Sequence, residues 1–437
     1  MLLSTLPYSY YIVIRLMVMN DIVSLLGIYS GIALLVFLVR ELSGLFNPAK
    51  LFTYYWVVQI LFITLFYRFF IFQYSGIYFI LIAIGLFCIG SIGGKSIDIS
   101  SLKKHSYAGC NENIICKLLI VLIICAAINP LLSVYRLGFN LSSLLNFNTL
   151  LVVNNTASID RYTTHTSKSA ISQIFLCFTY VAPLYGGFVY RLVKNNLKRL
   201  SLVTILPAVF VALTQAVKMA FITSVMLWFT GYMVCTLLCK LEYHLNARKA
   251  LRLAAVFGIF FSVLFISMMF RIGRSDGKTA ETVSEKYVGY AFGHLPAFDN
   301  WYARYDELSA NHTYGAKTFY GISNAIGVLK RKQGIFNDFV RISNKGSRTN
   351  VYSLFRLIIE DFGILGSCLF LMLTGFVVQF FYRLVCNGMF PLLSSTFLSL
   401  AYFTTFWSFV TSVLAYTSYI AMFGIFYFLI RLSVRYE

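Results

Sequence analysis

Charged residues are scarce in this 437-residue chain, at 12%, and acidic residues are the scarcer sign, with 16 Asp and Glu against 36 Lys and Arg. Soluble domains carry about 25% charged residues. With 59% hydrophobic residues and a mean hydropathy of +0.76, the chain has too few polar side chains to cover a surface in water. This composition excludes a soluble nucleic-acid-binding protein, a disordered chain and a secreted disulfide scaffold, and it indicates a membrane protein.

Several catalytic motifs are absent as well. The sequence has no G-x-x-x-x-G-K-[ST], which argues against ATP hydrolysis, and no H-E-x-x-H or His/Cys cluster for zinc. No D-x-D pair stands in a predicted cytoplasmic connection to hold a metal and a nucleotide-sugar. The two halves of the chain differ in loop length, which argues against a transporter built from inverted repeats.

The nine cysteines avoid the two long segments that we assign below to the outside of the membrane. They lie in apolar runs or in predicted cytoplasmic connections, and Cys235 and Cys239 are one helical turn apart inside such a run. This distribution fits an oxidising exterior without disulfides, and no pair has the spacing of a zinc site.

Long apolar runs are abundant, and a transmembrane helix needs about 20 predominantly apolar residues. The sequence predicts about eleven transmembrane helices, within a range of about 10 to 12. The runs cover residues 21–39, 51–73, 76–93, 115–135, 170–190, 200–216, 219–239, 252–270, 357–382, 388–407 and 411–430. Met19 directly precedes the first run and competes with Met1 as the start, so residues 1–18 receive no interpretation. The expected fold class is an all-α polytopic membrane protein.

Basic clusters between the runs predict the orientation, because short cytoplasmic connections are enriched in Lys and Arg. Residues 191–199 and 240–252 carry four such residues each, so both connections are expected in the cytoplasm. Alternation then places these further basic residues inside: Lys95, Lys103, Lys104, Lys117, Arg383, Arg431 and Arg435.

Two long segments remain on the periplasmic side, and they define the expected domain organisation. Residues 1–270 hold eight helices and a smaller periplasmic loop at 136–169, residues 271–356 form a large periplasmic loop, and residues 357–437 hold three helices. The large loop carries 13 Lys and Arg against 7 Asp and Glu. Long loops cross the membrane regardless of charge, so a solvated surface explains part of this excess, and an anionic substrate would explain the rest.

Six arginines of the external segments stand near predicted membrane surfaces: Arg136, Arg161, Arg271, Arg274, Arg348 and Arg356. The guanidinium group offers a fixed fork of donors that matches two phosphate oxygens at once. A lipid diphosphate at the membrane surface needs such partners. The alternative for each arginine is a side chain that only reaches toward lipid headgroups from a helix end.

Three stretches of the large loop differ from a generic linker: residues 290–301, 318–322 and 346–366. The first combines aromatic residues with His294 and Asp299, a composition suited to stacking on sugars and to taking a proton from a hydroxyl. The alternative for His294 is a hydrogen-bonded loop histidine. Arg356 and Glu360 are four residues apart on a predicted helix, and the alternative there is a pair that only neutralises its own charges.

The sequences G-H-L-P-A-F-D, T-F-Y-G-I and R-T-N-V-Y, followed by E-D-F-G-I-L-G, resemble the bacterial oligosaccharide repeat-unit polymerases, the Wzy-type O-antigen polymerases. The resemblance implies a GT-C-like glycosyltransferase of the bacterial inner membrane, with its active site facing the periplasm. Such an enzyme transfers the growing glycan from undecaprenyl diphosphate to the non-reducing end of one lipid-linked repeat unit. No metal, nucleotide or other cofactor is implied.

The positions and chemistry of the residues, together with this resemblance, give the expected site residues and partners. His294 and Asp299 are the expected catalytic residues, and His294 is chosen by type and neighbourhood, because related lipid A ligases are thought to use a histidine in the corresponding loop. The expected diphosphate or substrate ligands are Arg161, Arg271, Arg274, Arg348, Tyr352 and Arg136. Expected partners are an undecaprenyl-diphosphate-linked oligosaccharide, membrane lipid, and a chain-length regulator and flippase of the same pathway, with no nucleic acid.

Three other functions compete with the polymerase. A flippase for lipid-linked oligosaccharides has many spans and the same substrate, but short loops and charges inside its helical bundle. An O-antigen ligase shares fold and donor and differs in its acceptor, the lipid A core. A structural or sensory membrane protein has no cytoplasmic domain here to support it. The large external loop with aromatic residues and arginines favours an enzyme over the flippase.

Overall fold

The computed structural model describes residues 8–65, 69–140, 142, 146–163, 170–215, 217–241, 251, 258, 262, 289, 291–329, 335–344 and 346–437. These residues form a largely helical protein with two small antiparallel sheets of two strands each. The predicted eighth span, 252–270, lies outside the described residues except for Gly258 and Ser262. Arg271 and Arg274 also lie outside them.

The first nine helices are α1 (Tyr8–Leu38), α2 (Pro48–Leu65), α3 (Ser75–Gly93), α4 (Glu112–Arg136), α5 (Phe147–Thr163), α6 (Ala170–Val189), α7 (Asn195–Val203), α8 (Leu206–Thr214) and α9 (Lys218–Leu238). The remaining helices are α10 (His294–Tyr302), α11 (Tyr320–Ala325), α12 (Leu354–Asn387), α13 (Pro391–Trp407) and α14 (Thr417–Ser433). The strands are β1 (Tyr107–Cys110), β2 (Val340–Arg341), β3 (Arg348–Thr349) and β4 (Val434–Tyr436).

Within the described residues, eight helical segments are long and apolar enough to cross a membrane. They are Asp21–Glu41, Pro48–Leu65, Ser75–Gly93, Glu112–Arg136, Ile171–Val189, Asn195–Thr214, Lys218–Leu238 and Leu354–Asn387. Helices α13 and α14 are 17 residues long each. The chain is therefore a helical protein with several membrane-length apolar helices, as the composition predicts. The count of eleven spans stays a prediction.

Two predicted spans and one predicted loop differ from the structure. The second span was expected to reach residue 73, but α2 ends at Leu65, and the N–H of Ile71 already donates to the carbonyl of Ile342 in the hairpin β2–β3 (3.0 Å). The predicted sixth span consists of α7 and α8, because Pro207 in the first turn of α8 has no N–H with which to continue a helix. The expected loop 136–169 contains the 17-residue helix α5.

Glycines let the longest helices approach closely. A Cβ added to Gly90 of α3 would lie 1.8 Å from the carbonyl oxygen of Met372 in α12, and one added to Gly375 would lie 2.0 Å from that of Phe87. The hydroxyl of Ser91 donates to the carbonyl of Gly375 across the same contact (3.0 Å). Small residues at helix contacts are typical of membrane proteins, where close packing and interhelical hydrogen bonds replace the hydrophobic effect.

The predicted cytoplasmic connections meet at one end of the helices, which we call the basic end and define by residues 39–47, 94–111, 190–195, 383–390 and 431–437. There β1 pairs with β4, so that Tyr107 faces Tyr436. Arg383 donates to the carbonyls of Gly94 (3.1 Å) and Ile97 (2.6 Å). Connections that alternation places on one side of the membrane therefore contact one another in the structure.

Residues of the predicted large loop fold onto the opposite end of α3. We call residues 291–329 and 335–353 the cap. Helix α3 runs from Ser75 beneath the cap to Gly93 at the basic end, a length of about 28 Å at 1.5 Å per residue. The cap also contacts the start of α14, where the Thr417 hydroxyl donates to the carbonyl of Gly321 (3.3 Å). Directly after the cap, the N–H of Leu354 at the start of α12 donates to the carbonyl of Ser408 in the α13–α14 connection (2.7 Å).

Candidate functional site

His294 opens helix α10 at the base of the cap, with 2% of its surface exposed. Its ring lies against Trp56 of α2 and Phe409, with ring centroids 5.7 Å and 5.5 Å away. Neither ring nitrogen has a hydrogen-bond partner among the described residues. Burial away from water lowers the pKa of His294 to about 3. The imidazole is therefore neutral at physiological pH and, where it lies, a weak proton acceptor.

Asp299 lies in the same helix, α10, but its carboxylate binds the N-terminus of the neighbouring helix α3. Its carboxylate accepts hydrogen bonds from the N–H groups of Gln73 (2.6 Å), Tyr74 (2.8 Å) and Gly76 (2.8 Å) at the N-terminus of α3. Burial raises the pKa of Asp299, and the N–H donors, which favour the ionised form, offset part of that rise. Asp299 thus caps α3, and the structure does not join it to His294.

Gly76 makes this capping contact possible. A Cβ at position 76 would lie 2.7 Å from the Cα of Asp299 and 3.1 Å from its Oδ1. Any larger residue would push α10 away from the start of α3. The close approach therefore fixes the height of α10, and with it the position of His294 above Trp56.

Arg356, in the first turn of α12, is the centre of the cap's largest polar cluster. Its guanidinium binds the carboxylates of Asp338 (2.8 Å) and Glu360 (2.7 Å). It also lies over the aromatic rings of Tyr352, Phe336 and Trp301, at 4.1, 4.4 and 5.1 Å from their centroids. A guanidinium held by two carboxylates among aromatic faces combines charge-assisted hydrogen bonds with cation–π attraction.

Tyr352, an expected substrate ligand, belongs to this cluster. It is buried, and its hydroxyl donates to the carboxylate (3.0 Å) and the backbone carbonyl (2.9 Å) of Asp338. Burial and the neighbouring carboxylate raise the pKa of Tyr352 to about 12, so the phenol keeps its proton. Partial burial raises the pKa of Asp338, but the hydrogen bond and charge of Arg356 outweigh it and hold that pKa below its ordinary value.

Lys317 and Asp361 attach the middle of the cap to the same turn of α12. The ammonium of Lys317 binds the second carboxylate oxygen of Glu360 (2.9 Å). The buried Asp361 accepts from the N–H groups of Lys317 (3.0 Å) and Thr318 (2.6 Å) and from the hydroxyl of Thr313. The sequence analysis assigns no role to Lys317 or Asp361, although Asp361 lies inside one of the three distinctive stretches.

Arg348 is the one expected phosphate ligand whose side chain is exposed and unpaired among the described residues. It lies in β3 directly opposite Arg341 of β2. Arg341 donates to the carbonyls of Ser343 (3.0 Å) and Asn344 (2.7 Å) and is thereby tied to its own hairpin. Like charges directly opposite each other destabilise a strand pair, so an anion on this face would relieve the repulsion.

Of the other expected arginines, Arg136 is the one whose side chain the structure describes. Arg136 ends α4 and forms an ion pair with Asp160 of α5 (2.9 Å), and 45% of its side chain remains exposed. Arg161 lies in α5, but its side chain, like all of Arg271 and Arg274, is outside the described residues. Their convergence on one site therefore stays a prediction.

The described part of the chain contains no group of three or more His, Cys, Asp or Glu side chains that could hold a metal ion. What the cap offers is a partly exposed carboxylate, Asp338, next to aromatic rings, with an exposed guanidinium on the adjacent hairpin. Carboxylates accept hydrogen bonds from hydroxyl groups, and guanidiniums bind phosphate. The arrangement suits a ligand with hydroxyl groups and a phosphate.

Comparisons with protein-family models, with curated proteins and with solved structures find no match for this chain. The function is therefore argued from the chain's own residues.

Proposed function

We propose that this chain is an O-antigen or related surface-polysaccharide polymerase of the bacterial inner membrane. It transfers a growing glycan from undecaprenyl diphosphate onto the non-reducing end of a lipid-linked repeat unit at the periplasmic face. It is a metal-independent glycosyltransferase of the GT-C type in this proposal.

One observation supports the proposal above others: the three stretches that carry the family resemblance contact one another. Trp301 from the first stretch lies on the guanidinium of Arg356 in the third (5.1 Å). Thr318 from the second donates its N–H to Asp361 in the third (2.6 Å). Residues distant in sequence thus form one layer at one end of the helices. Unrelated linker segments would not be expected to pack together in this way.

The proposed chemistry starts from an already activated donor. A lipid diphosphate needs positive charge on its leaving group and a base near the acceptor hydroxyl. Arg348 supplies an exposed guanidinium at the cap, and Arg161, Arg271 and Arg274 are proposed to join it on the diphosphates.

His294 and Asp299 remain the proposed bases, each with a physical condition. A base role for His294 requires Trp56 or Phe409 to move away, because their rings seal the imidazole from solvent. A base role for Asp299 requires release of the N–H donors of α3.

The genetic test is deletion of the gene, followed by gel analysis of the lipopolysaccharide. A polymerase mutant should show the core with a single repeat unit, and a plasmid carrying the wild-type gene should restore the ladder of long chains. Bare core without the single-unit band would contradict the polymerase and favour the flippase or the ligase.

A biochemical test separates the alternatives further. Purified protein in detergent is incubated with lipid-linked repeat units alone, or with lipid A core added. Longer lipid-linked chains in the first mixture support the polymerase, whereas product formed only when core is present indicates the ligase. No product in either mixture would leave the flippase as the favoured function.

A further inference from the structure

Two adjoining cavities open at the basic end, on the opposite side of the molecule from the cap. The first has a volume of about 410 Å³ and is lined by polar and cationic side chains, among them Lys95, Arg383, Gln379 and Asn387. The second has about 320 Å³ and is lined mainly by apolar side chains, among them Leu45, Phe46, Leu237 and Leu241, with Lys240 beside them. Both reach Cys386, so a polar cavity continues into an apolar one.

Each cavity has cationic side chains: Lys95 and Arg383 line the polar cavity, and Lys240 lines the apolar one. Lys95 is half-buried and Lys240 exposed, and neither forms an ion pair among the described residues. The connection 94–106 carries one acidic residue, Asp98, against three lysines. Within the part of the chain that the structure describes, Lys95 and Lys240 thus have no carboxylate partner.

An amide side chain, Gln379, also lines the polar cavity. The side chain of Gln379 is 2% exposed, and its carbonyl oxygen accepts from the amide of Asn47 (3.0 Å). Its amide nitrogen has no acceptor among the described residues. An acceptor oxygen of a ligand in this cavity would give that nitrogen a hydrogen-bond partner.

Helix dipoles oppose an anion here, because α3, α9 and α12 all end beside the cavities, and helix C-termini favour cations. Arg383 offsets part of the negative potential at the end of α3, since it donates to the carbonyls of Gly94 and Ile97 that follow this helix. Lys95 and Lys240 remain as positive charges without an ion pair among the described residues.

We propose that these cavities bind one anionic phospholipid, with the headgroup phosphate at Lys95, Arg383 and Gln379 and an acyl chain along Leu45, Leu237 and Leu241. Charge complementarity and the change from a polar to an apolar lining favour a lipid over a soluble anion, which would leave the apolar cavity unused. Basic pockets between transmembrane helices on the cytoplasmic side are known to bind anionic headgroups. The site lies away from the proposed catalytic cap and does not depend on the proposed function.

The test is native mass spectrometry of the purified full-length protein with dioleoyl phosphatidylglycerol and, separately, dioleoyl phosphatidylcholine. The double variant Lys95→Gln, Lys240→Gln should retain phosphatidylglycerol about 30-fold more weakly than wild type, since each lysine near an anionic lipid contributes roughly fivefold. The charge-preserving pair Lys95→Arg, Lys240→Arg should bind as wild type does. Equal melting temperatures confirm that the variants fold.

The matched control is Lys103→Gln, Lys104→Gln, which removes the same charge from exposed lysines of the same connection outside the cavity. It should keep phosphatidylglycerol. Equal loss in this control would show a diffuse surface effect and overturn the site, as would undiminished binding in the Lys95 and Lys240 variant. Displacement of the lipid by tenfold excess inorganic phosphate would instead identify a soluble-phosphate site and overturn the lipid assignment.

Discussion

At the scale of single residues, His294 stands out because an ionisable ring is sealed among aromatic side chains. A neutral imidazole has one donor and one acceptor nitrogen, and leaving each unpaired costs about 1–3 kcal/mol. The fold thus buries an imidazole, a group capable of proton transfer, at the base of the cap although the burial is unfavourable. The same burial couples the stability of the cap to pH.

The first prediction concerns acid sensitivity. Above pH 6.5, His294 is neutral in both the folded and the unfolded chain; as the pH falls towards 3, only the unfolded chain takes up the proton, so folding stability is lost. His294→Phe removes this term, and its melting temperature should fall less than that of the wild type between pH 7.5 and pH 5. An equal fall in both proteins would contradict the burial of the imidazole.

His294→Phe also separates packing from catalysis. If His294 is the base, both His294→Phe and His294→Ala should abolish long chains in cells while the phenylalanine variant still accumulates in the membrane. A normal ladder from His294→Phe would show that the ring only fills space and would move the proposed base to Asp299.

The second prediction contrasts two arginines of the cap. Arg356→Lys loses the planar fork that binds Asp338 and Glu360 and lies on three aromatic rings, so the melting temperature should fall by several degrees. Arg348→Lys removes only an exposed fork, so stability should stay unchanged while chain length drops if Arg348 binds a diphosphate. Thermal unfolding and lipopolysaccharide gels are measured for both, and wild-type ladders from Arg348→Lys would remove it from the site.

At the scale of elements, the contact between α3 and α12 holds the cap to the basic end. Gly90 and Gly375 bring the two backbones together, and Gly363, at φ +69°, lets α12 change direction below the cap. A non-glycine residue rarely adopts this left-handed φ. Glycines at particular positions thus allow one long helix, α12, to contact both the cap and the basic end.

The third prediction tests that contact. Gly375→Val places a Cβ where Phe87 carbonyl oxygen would be 2.0 Å away, so α3 and α12 must separate, at a cost of about 1–3 kcal/mol or more. Gly424→Val in α14 is the control, because nothing lies within 4 Å of its added Cβ. We expect a lower melting temperature and lower membrane level only for Gly375→Val, and equal values in both variants would contradict the close crossing.

At the scale of the whole molecule, the orientation in the membrane links the two ends to their proposed roles. The cap and the basic end lie at opposite ends of α3. If α3 crosses the membrane, the two ends therefore face opposite sides of it. The excess of basic residues predicts that residues 94–106 face the cytoplasm and the cap the periplasm.

The fourth prediction tests this orientation. Cysteines placed at Ser309 in the cap and at Ser100 at the basic end occupy exposed positions, whereas the nine native cysteines are buried or half-buried. In cells with a permeabilised outer membrane, an impermeant maleimide should label Ser309→Cys and label Ser100→Cys only after lysis. The reverse pattern would invert the topology.

Hydropathy and charge by themselves determined the class of this protein, most of its helices and the grouping of its connections, because burial in lipid requires long apolar runs and the charges between them accumulate locally. The paired Arg356 and Glu360, four residues apart, were also within reach of sequence reasoning. Only the tertiary structure showed that Asp299 accepts a hydrogen bond from Gln73, 226 residues away along the chain, and so caps α3. It also showed that His294 lies against Trp56 and that Asp338 completes the Arg356 cluster. These contacts depend on which helices pack together, and no local sequence pattern predicts that packing. The hydrogen-bond partner of a buried carboxylate is determined by where the donor lies in three dimensions and not by its distance along the sequence.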